Sequence, residues 1–135
     1  MKKLIGVILF VILIFLIKDY MFASDSVSMT EIEYQQFNHS EDTFGETRII
    51  NDKHTVEKVA EILLKTNHEN TKYEKVSQQD YQVTIFYEDR STEVIRIWID
   101  FGRDFDLLES DRRSGAYILK DSESRETLRK ILTNK

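Results

Sequence analysis

The sequence predicts an α+β protein: an antiparallel β-sheet with two helices packed on one face, preceded by an N-terminal hydrophobic helix. Three observations predict it. Residues 81–99 hold two alternating runs rich in β-branched and aromatic side chains, joined by a short polar turn. Residues 56–63 and 128–132 repeat apolar side chains at helical spacing. Residues 4–17 form an unbroken apolar run behind Lys2 and Lys3.

The apolar run comes first in the chain. Its 14 residues span roughly 21 Å as a helix, short of the ~30 Å hydrocarbon core. Tyr20, Met21 and Phe22 extend it if Lys18 snorkels to the interface. The pattern reads as a membrane anchor or a signal peptide over residues 1–23, with the domain in residues 24–135. Cleavage after Ala23 would place bulky Met21 where a small residue belongs, which favours the anchor. Lys2 and Lys3 keep the N-terminus inside and send the remainder across. The expected location is the cytoplasmic membrane, single-pass with the domain outside, or secreted if cleaved. The membrane partner is engaged through residues 4–17.

The first 23 residues contain Lys2, Lys3, Lys18 and Asp19. From 19 basic and 24 acidic side chains in the whole chain, 16 and 23 remain in residues 24–135, a formal charge of −7. That sign repels a polyphosphate backbone, so no nucleic-acid partner is expected. The absence of cysteine excludes disulfides, a thiol nucleophile, zinc–thiolate sites and a lipid-modified cysteine. A domain of this length without disulfides stands on its core alone.

Ser24, Asp25, Ser26, Val27 and Ser28 read as a short tether. Thr30, Ile32 and Tyr34 alternate as a first strand, and residues 39–43 read as a polar turn. Residues 46–50 suit a second short strand. Asn51 or Asp52 caps a helix whose Val56, Val59, Ala60 and Leu63 share one face, broadened by Ile62 and Leu64. Residues 67–79 are polar and without period, hence a loop. Tyr81, Val83, Ile85 and Tyr87 then alternate along the first strand of a hairpin. Ile95, Ile97 and Ile99 oppose Val94, Arg96 and Trp98 along the second. Apolar residues on both faces put this hairpin at the centre of the sheet. Leu107 and Leu108, then residues 116–119, suit two further strands. Asp121 or Ser122 caps the last helix, which buries Leu128, Ile131 and Leu132.

From Asp80 onward the chain resembles a known family. Asp80 and Tyr81 at a strand start, Tyr87, Trp98 on the return strand, residues 117–119 and residues 128–132 carry the likeness. It resembles the YhfM-like domain of small exported proteins of Gram-positive bacteria. With the helix around residues 56–64 the likeness covers most of residues 46–133. The resemblance implies an extracytoplasmic domain of unknown function. Some exported relatives of this type look like lipoproteins, and this chain departs from that in having no cysteine to lipidate. Its hairpin turn, Asp89, Arg90 and Ser91, also lacks the glycine such turns favour.

Catalytic and metal-binding patterns are weak. His39 lies near Glu41 and Asp42, His68 adjoins Glu69, and His54 opens the first helix, yet none shows the spacing of a helical metal site. Asp100, Asp104, Asp106, Glu109 and Asp111 crowd around Gly102, but the glycine does not fall where a calcium loop needs it. Balance by Arg103, Arg112 and Arg113 is the simpler reading of that stretch. No nucleophile elbow, phosphate-cradling loop or dinucleotide fingerprint is present. No cofactor, metal or catalytic residue is therefore assigned.

Trp98 and Arg96, with Tyr81 or Tyr87 as neighbours on the same face, are the candidate binding residues, because Trp, Tyr and Arg dominate binding surfaces. The bland reading is that these aromatics are core, with residues 67–79 or the first strand covering Trp98. The expected function is a noncatalytic binding module at the cell envelope, engaging an envelope protein or polymer. The alternative is a small envelope-acting hydrolase, which requires a convergent polar cleft.

Overall fold

The computed structural model describes residues 28–133. The predicted N-terminal helix and most of the tether lie outside those residues. Eight strands and two helices follow one another: β1 (Met29–Asn38), β2 (Thr43–Phe44), β3 (Arg48–Ile50), α1 (Lys53–Leu64), β4 (Asn67–Glu69), β5 (Tyr81–Tyr87), β6 (Thr92–Trp98), β7 (Asp106–Ser110), β8 (Ala116–Leu119) and α2 (Ser122–Thr133). All strands join one antiparallel sheet in the order β2-β1-β5-β6-β7-β8-β4, with β3 also paired to β1. The α+β class and the antiparallel sheet with two helices are as the periodicities predict.

Alternation decides the two faces. Ile32 and Tyr34 of β1, Val83 and Ile85 of β5, and Ile95 and Ile97 of β6 all point to one side. Val56, Val59, Ile62 and Leu63 of α1 and Leu128 and Leu132 of α2 pack against them. The helices are held at their starts by capping. Asp52 accepts from the Thr55 amide at 3.0 Å, and Asp121 accepts from the Ser124 amide at 3.0 Å. Three apolar residues fall off the buried stripes: Leu64 is exposed, and Ala60 and Ile131 are only partly buried. Each helix needs only about 100° of its surface for the core, and a stripe one residue wider reaches water.

Two short strands were not legible in the sequence. Residues 67–79 read as a loop, but Asn67, His68 and Glu69 pair with Ile118, Tyr117 and Ala116 at the sheet edge. A three-residue polar edge strand carries no alternation of its own, so only its partner defines it. Thr43 and Phe44 pair with Asn38 and Phe37 for the same reason. The first strand also runs on to Asn38, beyond its alternating core.

Candidate recognition face

β6 fixes Trp98. Ile95 and Ile97, with the partly buried Ile99 just after the strand, hold its helix-facing side, so Trp98 projects from the opposite side, where Leu107, Ala116 and Ile118 form a second apolar cluster. Residues 70–80 cross this cluster as a strap. The indole Nε1 of Trp98 donates to the Ser77 carbonyl at 3.1 Å. The Lys75 ammonium lies 5.2 Å from the ring centre and 2.5 Å from Glu109. Tyr73 sits against Phe101 and Phe105 and donates its hydroxyl to Glu69. Trp98 is consequently only 6% exposed.

Arg96 shares that side and is exposed. Tyr81 and Tyr87 do not join it. Tyr81 pairs with Ile97 in the hairpin register, and its odd-numbered side points into the helix-covered core, with Tyr87 beyond it. The four residues thus divide between two faces, which corrects the expectation that the tyrosines neighbour Trp98 and Arg96. A period of two along one strand says which residues share a side of that strand; only the register says what lies across from them.

The strap covers half of the second face. No described residue covers the other half, over β1, β5 and β6, whose side chains are partly to fully exposed. Glu33, Thr84 and Val94 lie in one row across it, and Gln35, Gln82 and Arg96 in the next. Phe86 and Val94 stay partly exposed there, and Ile49 of β3 is 57% exposed beside Glu33. Between Arg96 and the strap runs an open groove of about 350 Å³, lined by Asn70, Thr71, Lys72, Lys75, Arg96, Glu109, Ser110 and Gly115.

The buried carboxylates are spent on structure. Glu93, wholly buried, accepts from Tyr87 at 2.7 Å, from the Ser110 hydroxyl and from Arg113 Nε at 3.3 Å. Burial, and then this hydrogen bond to Glu93, push the Tyr87 hydroxyl well above its ordinary range. Asp106, also wholly buried, accepts from the Asp100 amide at 2.8 Å and from Arg125 at 3.1 Å. Arg125 and Arg129 each reach the Asp100 carboxylate at 2.6 Å. The acidic stretch is therefore balanced chiefly by arginines of α2, not by Arg103, Arg112 and Arg113 alone. Sequence neighbours suggested the latter; the packing of α2 against the sheet brings the former. Among the described residues no group of three or more histidines and carboxylates is placed to hold a metal ion.

At the opposite end of β1 lies a groove of about 400 Å³, lined by Tyr34, Gln36, Phe37, Asn38, His39, Gly45, Glu46, Arg48 and Leu132. His39 Nε2 is 2.8 Å from Asp80, whose other oxygen accepts from the Ile99 amide at 2.7 Å. The pairing of His39 with Asp80, 41 positions away, has no local sequence signal. Lys72 and Lys75 were missed as groove residues for a related reason: a polar segment without period gives no hint that it folds across a sheet.

Among the described residues no helix is long and apolar enough to cross a membrane. The sequence model of the YhfM protein family matches residues 25–135. No curated protein and no solved structure matches the chain.

Proposed function

We propose, for a chain that belongs to the YhfM protein family, a noncatalytic binding module held at the outer side of the cytoplasmic membrane. One observation carries the binding reading: among the described residues, helices cover one sheet face, the strap covers half of the other, and the uncovered half ends at a groove with exposed Arg96. The partner is an envelope protein or polymer. The wholly buried carboxylates Glu93 and Asp106 support a noncatalytic role, because two hydroxyls and Arg113 take Glu93, and the Asp100 amide and the arginines of α2 take one oxygen of Asp106. Lys2 and Lys3 ahead of the apolar run at residues 4–17 support the tether and its direction.

Two measurements test this. A reporter fused after Lys135 is expected to be active only outside the membrane. Full protection of the domain from protease added to intact protoplasts overturns the location. A pull-down from intact cells with the full chain is expected to lose its partner with Arg96→Glu, and unchanged recovery overturns this face as the contact.

The second reading, a small envelope-acting hydrolase, is favoured by His39 and Asp80 beside the 400 Å³ groove. A carboxylate that orients an imidazole is the usual companion of a general base. Hydrolysis of envelope polymer by the wild type, lost in His39→Ala, distinguishes it from the first reading.

A further inference from the structure

We infer that the groove between Arg96 and the strap binds a phosphate-class dianion, a site that rests on the binding-module reading of this face. Three cations meet in it: Lys72, Lys75 and Arg96. One carboxylate, Glu109, faces them, and it is taken by Lys75 at 2.5 Å. Lys72 and Arg96 are exposed and make no ion pair with the rest of the described chain. The groove therefore holds two uncompensated positive charges on a protein of net charge −5.

Neutral donors stand beside them. Asn70 and Thr71 line the same groove with exposed side chains. The strap that carries Lys72 is pinned in place: Lys75 is held by Glu109 over Trp98, and Ser77 by the indole. The cations are thus presented on an anchored segment. Gly115 lines the groove with no side chain. Its φ of +81°, and the Glu69 carbonyl 2.5 Å from where a Cβ would stand, reserve that position for glycine.

The charge count selects the ligand. Two unpaired cations call for two negative charges on one group or on close neighbours. A phosphate monoester supplies about −1.5 to −2 with three strong acceptor oxygens, whereas a single carboxylate supplies −1. The planar fork of Arg96 and the point charge of Lys72 are the two usual partners of such a group. The volume of about 350 Å³ leaves room for the group and part of the molecule that bears it. The phosphate belongs either to a small free compound or to a polymer that continues along β5 and β1, which no described residue covers on this face.

Titration calorimetry with the full chain at low salt tests the site, using pyrophosphate, long-chain polyphosphate and citrate. Expected is saturable binding of pyrophosphate or polyphosphate that weakens at least tenfold in Lys72→Ala and again in Arg96→Ala. Raising the salt is expected to weaken it too, since the site is open to solvent. Lys53→Ala, on the far helix, is the control and leaves affinity unchanged. A free compound as the source shows as equal affinity for pyrophosphate and polyphosphate; a polymer shows as a clear preference for the chain. Tighter binding of citrate than of either phosphate overturns the phosphate class. Absence of phosphate binding by the wild type, or binding indifferent to both substitutions, overturns the site. Because this measurement uses purified protein, loss of the partner with Arg96→Glu in cells but no phosphate binding here refutes the ligand class and leaves the binding-module reading standing.

Discussion

Asp106 and Arg125 meet at 3.1 Å between the first residue of β7 and the first turns of α2, with the carboxylate wholly buried. The contact fastens the last helix to the loop after β6, because Arg125 and Arg129 both also grip Asp100, whose φ of +50° turns its backbone into the left-handed region. Replacing Asp106 by alanine removes the buried acceptor of the Asp100 amide and one of the two carboxylates that Arg125 and Arg129 share, while both arginines keep Asp100. Leaving a buried donor without its acceptor costs about 1–3 kcal/mol. Urea unfolding of Asp106→Ala is expected to show that loss, and a change under about 1 kcal/mol would contradict the role given to this carboxylate.

Trp98 is the chain's single tryptophan, so its emission reports on the strap alone. Its burial predicts blue-shifted fluorescence protected from aqueous quencher. Trp98→Ala removes an indole from among Leu107, Ala116 and Ile118 and is expected to cost about 3–5 kcal/mol. Red-shifted, freely quenched emission from the native protein would mean that the strap does not close over the ring.

The caps make helix stability acid-sensitive. Hydrogen bonds from the Ser124 side chain and then its amide hold the Asp121 carboxyl below its ordinary value of 3.8, and Thr55 does the same for Asp52. A depressed folded pKa means that the ionised cap stabilises the fold above about pH 3.8 and that this contribution is lost as pH falls through the lower folded value. Asp121→Ala is therefore expected to lower the Tm at pH 7 and to lower it less at pH 3. An equal Tm loss at both pH values would argue against the ionised cap.

Tyr87 predicts the alkaline limb. Its hydroxyl is raised by burial and by Glu93, so its neutral form is favoured in the fold. The associated stability is complete below the unfolded value of 10 and is lost as pH rises above it. Tyr87→Phe is expected to flatten the fall in Tm between pH 9 and pH 11, as followed by circular dichroism (pH values chosen to be about one unit either side of the unfolded pKa).

Gly115 offers a local test of the sheet edge. Alanine there meets the Glu69 carbonyl at 2.5 Å with φ at +81°. The substitution is expected to destabilise by more than about 1 kcal/mol and to speed hydrogen exchange at Asn67, His68 and Glu69, which pair with β8. Unchanged exchange there would disconnect the turn from the edge strand.

The sequence by itself determined the parts whose signal is periodic. The alternation of residues 81–99, the stripes of the two helices and the face opposition of Trp98 to the isoleucines follow from side-chain geometry one strand or one helix at a time. It also determined the chain's acidic balance and the apolar run at residues 4–17. Only the tertiary structure decided what crosses between elements. It set the register that separates Tyr81 from Arg96, the pairing of β4 with β8, the strap over Trp98 and the distant partners of Asp106 and Asp80. The physical reason is that a polar or charged side chain is satisfied by any group of the right kind within about 3 Å. Nothing in its own neighbourhood names that group, whereas an apolar side chain needs only to point away from water, and its spacing along the chain records which way that is.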